Sequence, residues 1–510
     1  MSKLNAVFSI IALLIISSFC YLSFYPLETN FKVDDQQTKI KETISLTPKC
    51  SSYEVSKIWN CTSDYEVTSV AVSADGNYMV AIVNPASVNP EHALFYFNTS
   101  AHNGRPMWIF NTTQLISSVA ISADGKYIVA ASQDQHKVYL LNNTVPAAGQ
   151  NKEEIWYVKF DLVSEFIYSV DISADGKYIV IGGLSFGDGF ILLYNNSFAS
   201  NGRDKTSEKL WYYPLDMQVN SVKISADGQY VVAGTNNGES NDEVFFFNTT
   251  DFTYNSEHKP EWSFNADIPV GLIAISADGY YFVAGYEHKM YLLNKTLPDP
   301  TGKKEMWYSD WGVGPDYHIY SIDISTDGKY VVMGGRTAVT NGFIALYNNS
   351  YASTGFDKIN EYLWNYTLER KINSVAITAY GEYIAVGTDK YLQEDTVFLF
   401  NNTDYTYKQE HKPEWSFNTS YDINSVSISS WGNYIGAGGL YSSSRGMTYL
   451  FYHARPLPNV PPLLGGDGDS GGTDEAVQAI PFGNHYLIFT AIGIVSLVII
   501  LKRKLFLSKK

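Results

Sequence analysis

The chain alternates apolar and polar positions over short stretches, and the same alternation returns eight times. In SVAISADGKYIVAAS, residues 118–132, five alternating residues run into Asp-Gly and an apolar run follows. Asp-Gly between two runs rich in Val, Ile and Tyr is a strong tight-turn signal, because glycine tolerates a positive φ. Related stretches begin at Ser69, Ser169, Ser221, Leu272, Ser321, Ser374 and Ser425. This pattern predicts eight hairpins of one kind.

The hairpins recur at a period that is typical of propeller blades. The turn glycines are Gly76, Gly125, Gly176, Gly228, Gly279, Gly328, Gly381 and Gly432, at steps of 49 to 53 residues. Each unit carries a run with a Trp, a run like SVAIS, the turn, a run like YIVAG, a polar loop and a run like VYLLN. Four short strands repeated in this way predict an all-β fold, a single eight-bladed β-propeller of four-stranded antiparallel blades.

One Trp and one Tyr mark every unit. They are Trp59, Trp108, Trp156, Trp211, Trp262, Trp307, Trp364 and Trp415, and Tyr78, Tyr127, Tyr178, Tyr230, Tyr281, Tyr330, Tyr383 and Tyr434. A binding stripe would repeat in this way, but packing between blades explains the repeat more simply. The Trp run would be the outermost strand of the preceding blade. The run around Trp59 would then complete the last blade and hide its sheet edge.

Parts of the chain are copies at a larger spacing. LLNNTVPAAGQNKEEIWY pairs with LLNKTLPDPTGKKEMWY, and FNTTDFTYNSEHKPEWSFN pairs with FNNTDYTYKQEHKPEWSFN, at an offset of 152 or 153 residues. Three units therefore form a cassette that has been duplicated. Identity between the cassettes reflects the duplication as well as functional constraint, so it weakens any site that is argued from repetition alone.

Two apolar runs flank the repeats. Residues 4–25 are apolar and uncharged, and residues 486–501 form a second run that basic residues 502–504 follow at once. The runs predict membrane spans, with the tail in the cytoplasm. The predicted segments are a signal anchor or cleaved signal peptide (1–25), a linker (26–56), the propeller (57–453), a Pro/Gly/Asp-rich stalk (454–484), a transmembrane helix (485–501) and a basic cytoplasmic tail (502–510). The propeller would lie outside the cytoplasm at the cell membrane.

Eleven N-x-Ser/Thr sequons and three cysteines bear on that location. The sequons begin at Asn60, Asn98, Asn111, Asn142, Asn195, Asn248, Asn294, Asn348, Asn365, Asn401 and Asn418. In an exported chain they predict N-glycosylation, although Asn at the end of a strand is also ordinary turn chemistry. Cys50 and Cys61 either form a disulfide or remain free thiols. The tail anchor and the sequons fit an archaeal-type cell surface.

The repeat resembles two known groups of propellers. The S-x-D-G-x-Y turn, the VAGG or VAGT that follows and the VYLLN strand resemble WD-repeat propellers. VYLLN before EIW, with one Trp per blade in eight blades, resembles quinoprotein-type (PQQ-like) propellers. The resemblance covers residues 57–453 and implies the scaffold alone. The sequence has neither the vicinal Cys pair of quinoprotein dehydrogenases nor a C-x-x-C-H haem motif, and Asn stands where WD repeats have Trp-Asp.

Candidate chemistry is sparse, and we expect no cofactor. His258 and His411, each in a copy of EHKPEW, are candidates for a metal or acid–base role or are parts of a duplicated solvent loop. The turn aspartates Asp75, Asp124, Asp175, Asp227, Asp278 and Asp327 are expected to serve the turns. The segment GGDGDSGGTDE (465–475) is loosely like a calcium loop, but it lacks the Glu at position twelve and fits an acidic stalk better.

Strand alternation places the Asp-Gly turns and both ends of the propeller on one face, so the opposite face would point away from the membrane. That face carries Asp188, Glu239, Asp242, Glu243, Asp316, Asp389, Glu394 and Asp395 as possible ligand-face acids, unless they serve solvation alone. The net charge of −16 excludes a nucleic-acid partner. The expected function is a scaffold that binds a protein, glycan or cation at the cell surface, and it leaves the oligomeric state open. An enzyme with a site in the axial channel (lyase, glycosidase or unusual quinoprotein) and a structural envelope or adhesion component are the alternatives.

Overall fold

The computed structural model describes residues 55–454, apart from residues 85–91, 102, 114, 133–135, 149, 161–164, 198–202, 237–241, 297–304, 313–316, 338–340, 350–360, 391–393, 404 and 441–444. The described residues belong to one compact unit. No helix among them is long and apolar enough to cross a membrane. Both predicted membrane spans, the basic tail, the linker before residue 55 and the stalk from residue 455 onwards lie outside the described residues.

The described residues form β-strands joined by turns and loops. In chain order the strands are β1 (Val55–Ser63), β2 (Glu66–Val72), β3 (Tyr78–Asn84), β4 (His92–Asn98), β5 (Trp108–Thr112), β6 (Ile116–Ile121), β7 (Tyr127–Ser132), β8 (Lys137–Asn142), β9 (Trp156–Lys159), β10 (Glu165–Ile172), β11 (Tyr178–Ser185), β12 (Asp188–Asn195), β13 (Trp211–Leu215), β14 (Gln218–Ile224), β15 (Tyr230–Asn236), β16 (Asp242–Asn248), β17 (Ser256–Glu257), β18 (Trp262–Ala266), β19 (Leu272–Ile275), β20 (Tyr281–Tyr286), β21 (Lys289–Asn294), β22 (Trp307–Asp310), β23 (His318–Ile324), β24 (Tyr330–Arg336), β25 (Gly342–Asn348), β26 (Trp364–Leu368), β27 (Ile372–Ile377), β28 (Tyr383–Thr388), β29 (Val397–Asn401), β30 (Gln409–Glu410), β31 (Trp415–Phe417), β32 (Ile423–Ile428), β33 (Tyr434–Leu440) and β34 (Gly446–His453).

The strands pair into eight antiparallel sheets, and each sheet is one blade. Blades 1 to 7 begin with β2, β6, β10, β14, β19, β23 and β27, and the fourth strand of each is its Trp strand. Blade 8 consists of β32, β33, β34 and β1. The first strand of every blade contacts the first strands of both neighbours, so these strands surround the axis. The predicted eight-bladed propeller is confirmed.

The ring closes in the predicted way, because the first Trp strand completes the last blade. Strand β1 pairs antiparallel with β34, from Val55 opposite His453 to Ser63 opposite Gly446. Both ends of the propeller thus contribute to one sheet, and backbone hydrogen bonds hold the first strand in the last blade.

The turns between the first and second strands are built alike. In blade 1, the Ser73 hydroxyl donates to Asp75 Oδ1 at 2.6 Å, the Asn77 amide donates to the same carboxylate oxygen, and the Tyr78 amide donates to Ser73 Oγ at 3.0 Å. The Asp of each such turn is therefore held by its own loop. In blades 7 and 8 the Asp is replaced by Tyr380 and Trp431, whose rings contact each other at 5.6 Å.

Each turn glycine also packs against the blade before it. Gly76 has a φ of +76°, and a Cβ there would lie 2.6 Å from Cδ2 of Tyr434 in blade 8. The same pairing of a turn glycine with the Tyr of the preceding blade recurs around the ring. The glycine is required twice, because the left-handed backbone and the contact with a ring both exclude a side chain. This explains why Gly and Tyr repeat together.

A circle of backbone hydrogen bonds links the eight turns. The Ala123 amide donates to the Ala174 carbonyl at 3.0 Å, and the same step repeats from blade to blade until the Ser430 amide donates to the Ala74 carbonyl at 3.0 Å. We call the side of the ring that carries these turns the turn face, and the opposite side the distal face. The circle satisfies inward-facing amides with main chain rather than with side chains.

The Trp indoles lie between blades. Trp211 and Trp364 are fully buried and stack on Phe247 and Phe400 of the following blades, with ring centroids 5.2 Å apart in both pairs. Trp415 is only half-buried. Such wedges of large aromatic area hold neighbouring sheets together.

Two blades carry a short fifth strand in addition to the predicted four. Strand β17 pairs parallel with β13 on the outer edge of blade 3, and β30 pairs parallel with β26 on blade 6. Both come from the copied EHKPEW loops of the next blade. These loops thus cover sheet edges that would otherwise present unpaired backbone groups.

Candidate functional site

The two mouths of the axial channel are built differently. At the turn face the mouth is lined by the circle of main-chain bonds between similar turns. At the distal face, seven of the first strands in the described residues carry a β-bulge, each at the same place. The bulged residues are Thr68, Ser117, Tyr168, Asn220, Tyr320, Asn373 and Asn424. We call this set the distal mouth.

The bulges turn these seven side chains away from the core. The residue before each bulge is buried, as Val67 and Ile167 show, whereas the bulged residue itself is exposed or half-buried. A bulge inserts one extra residue into the strand and re-aims a side chain, which is why bulges are frequent at rims and beside binding sites. The bulged residue is Asn in three blades, Tyr in two, and Thr and Ser in one each, so the chemistry of the distal mouth is mixed around its circumference.

A group of rings and cations lies at blades 6 and 7 of the distal mouth. The His318 ring is 4.5 Å from the Tyr320 ring and 5.2 Å from that of Tyr286. The Arg336 guanidinium and the Lys371 ammonium lie 5.9 Å and 5.0 Å from the centroid of the Tyr320 ring. Both distances are typical of cation–π contacts. Two positively charged side chains therefore lie against the ring of Tyr320.

Burial is the main cause that lowers the pKa of His318, and the charges of Arg336 and Lys371 lower it further, against an opposing effect of Glu287. These effects together favour the uncharged form of His318. It contributes a ring and a hydrogen-bonding nitrogen to the group rather than a third charge.

The described acids of the distal face are partly engaged with cations. Glu394 lies 2.6 Å from the buried guanidinium of Arg370, which also donates to the Asp395 carbonyl at 2.7 Å. Asp389 lies 3.5 Å from Lys371 and accepts a hydrogen bond from Asn373. These acids tie loops to the scaffold and offset positive charge.

The remaining predicted acids fall elsewhere on that face or outside the description. Asp188 is exposed at the start of β12, and Glu243 is half-buried with its amide bonded to the Thr235 hydroxyl. Glu239 and Asp316 lie outside the described residues, as does the side chain of Asp242. The described residues contain no group of three His, Cys, Asp or Glu that would suit a metal ion. The segment 465–475, the candidate calcium loop, also lies outside the description.

The axial channel holds three charged side chains that the sequence reading did not bring together. The Asp171 carboxylate accepts from the Ile224 amide at 3.0 Å and lies 3.9 Å from the Lys223 ammonium. Asp323 accepts from its neighbour's amide and from the Ile377 amide, each at 2.9 Å. Burial raises the pKa of Asp323 to about 6. Each acid satisfies an edge amide of the following blade, which is a structural task.

Seven of the sequons lie at the corner after the third strand. This corner belongs to the turn face, because its backbone bonds to the first turn, as the Thr249 amide does to the Gln229 carbonyl at 2.7 Å. The Asn248 amide oxygen accepts from both the amide and the hydroxyl of Thr250, at 3.0 and 2.7 Å. This is an Asx turn, and it needs Asn followed two residues later by a hydroxyl. Turn chemistry therefore suffices to explain the motif there, and glycosylation stays a prediction.

The other sequons and the cysteine have separate settings. Asn60 and Asn365 lie within Trp strands, whereas Asn111 and Asn418 lie toward the distal ends of theirs. Cys61 is half-buried, and burial raises the pKa of its thiol. Cys50 lies outside the described residues, so the disulfide stays a prediction.

Both candidate histidines of the copied loops serve the outer edge of the ring. The His258 ring lies 5.1 Å from Trp211, and its Nε2 is 2.8 Å from the Asn248 carbonyl. The corresponding contacts of His411 are with Trp364 and Asn401. Each histidine thus pins the loop that supplies the fifth strand.

An open groove of about 980 Å³ runs along the rim of blade 1, beside Trp108 and the loop 145–152. Lys152 is buried there, with its ammonium 4.9 Å from the Trp108 ring and hydrogen bonds to Asn142 and Thr144. Burial lowers the pKa of Lys152 to about 8. The amine is committed to holding its own loop.

Comparisons with known proteins agree with the sheet order. The model of the WD domain, G-beta repeat, matches residues 104–136. The C-terminal WD40 domain of Sif2 is similar in structure, with a TM-score of 0.53 and 14% identity over 78% of this chain and 97% of that one. The propeller of Dos1 has a TM-score of 0.54 and 13% identity over 78% and 95%. No curated protein matches the chain. These similarities support a β-propeller of the WD-repeat type, and they are evidence for the fold alone.

Proposed function

We propose that the protein is a membrane-tethered propeller outside the cytoplasm that binds a protein or glycan ligand through its distal mouth. The observation that carries the proposal is the contrast between the mouths. One set of residues, the turns, repeats almost unchanged, and its backbone groups are hydrogen-bonded from one turn to the next around the ring. The other set, the seven bulged residues, comprises Thr, Ser, Asn and Tyr side chains that remain half-buried or exposed, and those of Ser117, Asn373 and Asn424 also donate to carbonyls of the next blade. Variable side chains on a rigid frame are the usual basis of recognition.

The places where the propeller begins and ends are compatible with a tether on one side of the ring. Val55 pairs with His453, and the His453 amide bonds to the Asn433 carbonyl in the last turn, so both ends leave from the turn face. With the apolar runs at 4–25 and 486–501 in a bilayer, the turn face would face the membrane and the distal mouth would face outward. The basic tail supports a cytoplasmic C-terminus.

The charged residues in the channel favour binding over catalysis. A general acid or base needs an oxygen that is aimed at a substrate. Asp171 and Asp323 instead direct carboxylate oxygens at amides of neighbouring strands. WD-repeat propellers as a group act mainly as interaction scaffolds, which agrees with this choice.

The proposal is tested with full-length protein in detergent. Asn220→Trp places an indole across the distal mouth, and Gln229→Trp places one on the turn face of the same blade, where Gln229 is exposed. Both variants and the wild type are screened against a glycan array and against purified cell-surface proteins. We expect at least one ligand that binds the wild type and Gln229→Trp but loses binding to Asn220→Trp. Equal binding by both variants, or turnover of a sugar or alcohol instead of binding, would overturn the proposal.

A further inference from the structure

The duplicated cassette supplies an internal control for the group at blades 6 and 7. Tyr320 corresponds to Tyr168 one cassette earlier, and both are bulged residues of the distal mouth. Arg336 corresponds to Leu184, and Lys371 corresponds to Gln218. The two positions lie in corresponding strands, Leu184 near the end of β11 and Arg336 at the end of β24. The scaffold thus forms this mouth without either cation.

The charge of Arg336 lacks an acidic partner among the described residues. Its Nε is buried and donates no hydrogen bond among the described residues, and the guanidinium lies 5.9 Å from the centroid of the Tyr320 ring. Arg370, one blade further, is by contrast paired with Glu394 at 2.6 Å. A half-buried guanidinium with no acidic partner among the described residues is costly, and a bound anion would lower that cost.

From this contrast we propose that Arg336 and Lys371 form a carboxylate-binding site for an acidic saccharide, with Tyr320 and His318 as its floor. The planar fork of arginine binds a carboxylate through two parallel hydrogen bonds, and Lys371 adds a second charge that Asp389 only partly offsets. This inference rests on the proposed function, because it names the chemistry of a ligand at the same mouth.

A saccharide fits the surroundings better than an acidic peptide. The chain carries a net charge of −16, so a peptide with several carboxylates is repelled by the surface within a Debye length of about 8 Å. A saccharide with one carboxylate presents that single charge to the cations of Arg336 and Lys371. The rings of Tyr320 and His318 offer flat apolar area beside the charge.

The test compares full-length wild type with the double variant Arg336→Leu/Lys371→Gln, which copies the residues of the other cassette. Calorimetric titrations use a glucuronate-terminated disaccharide, its glucose counterpart and an Asp/Glu-rich peptide. The control, Lys177→Gln/Lys329→Gln, removes two exposed cations from the turn face. We expect glucuronate affinity to fall at least roughly tenfold in the double variant and to stay unchanged in the control. The glucose counterpart should bind at least roughly tenfold more weakly to the wild type.

Three results would overturn the inference: no binding of the glucuronate probe by the wild type, equal binding by wild type and double variant, or preference for the peptide. Thermal unfolding checks that the double variant keeps its fold. Should it not, Arg336→Lys, which keeps the charge and loses the fork, must weaken glucuronate binding by itself. If Asn220→Trp abolishes some other ligand while Arg336→Leu/Lys371→Gln changes nothing, the proposed function stands and only this inference falls.

Discussion

The turn face and the distal face are made by the same eight blades, yet their residues have different roles. On the turn face a Ser, a Gly and a Tyr repeat because each blade must lock to the next. On the distal face, seven bulges place Thr, Ser, Asn or Tyr at the mouth instead of one repeated residue type. The comparison teaches that repetition in this sequence marks stability, whereas departure from repetition marks a candidate for recognition.

The largest effect is expected where two blades share an indole. Trp211→Ala should lower the free energy of unfolding by about 3–5 kcal/mol, because a fully buried ring leaves a cavity against Phe247. Trp415→Ala, at the half-buried position, should cost clearly less. Chemical denaturation of both variants measures the difference, and equal losses would contradict the interlocking role given to the buried indoles.

A turn glycine should rank next. Gly76→Ala combines a φ of +76° with a Cβ at 2.6 Å from the Tyr434 ring, and we expect a loss of roughly 2–3 kcal/mol. Gly187, at the distal end of blade 3, has a φ of +98° with nothing within 4 Å of a Cβ. Gly187→Ala should therefore show the backbone strain alone, about 1 kcal/mol. Denaturant unfolding of both variants separates the packing contribution from backbone strain. Equal losses would contradict the packing contact between the turn glycine and the Tyr ring of the preceding blade.

The channel between the faces should make stability depend on pH. The pKa of Asp323 rises from 3.8 to about 6 on folding, so its contribution is fully present below pH 4 and is lost as the pH rises through 6. With some screening by channel water, we expect the wild type to lose roughly 2 kcal/mol relative to Asp323→Asn between pH 4 and pH 7. Denaturant unfolding of both proteins at the two pH values measures this, and parallel pH profiles would contradict it.

The smallest effect concerns the corner sequons. Asn248→Asp keeps the Asx-turn acceptor and removes the sequon, so the free energy of unfolding should change by less than about 0.5 kcal/mol. Thr250→Ala removes the hydroxyl bond to Asn248 and keeps the amide bond, and it should cost about 1 kcal/mol. Mass spectrometry of protein from the native host reports the glycan itself. An unmodified Asn248 would leave turn chemistry as the whole reason for the motif.

The blades and their closure were predictable because both rest on local rules. The Asp-Gly turn is encoded within four residues, and the place of the Trp strand follows from the order of the runs. The bulges were also written in the sequence, since apolar residues such as Val67 and Val70 stand three apart where strict alternation needs two. The alternation rule alone does not assign this irregular spacing to a bulge.

The candidate site could not be predicted in the same way. Arg336 and Lys371 meet at Tyr320 from different blades, and only the ring brings them together. Likewise, Asp323 looked like an ordinary strand residue until the next blade placed an amide beside it. The duplication nevertheless gave a hint, because Leu184 and Gln218 stand where the second cassette has cations.

The closure of blade 8 imposes an order in time. The strand that starts at Val55 is synthesised first, yet its partner, Gly446–His453, emerges almost last. Until then one edge of β1 and the whole interface between blades 8 and 1 lack their counterparts. A nascent chain must therefore hold nearly four hundred residues before the ring can close, and a chain that ends before residue 446 leaves an exposed strand for other chains to join.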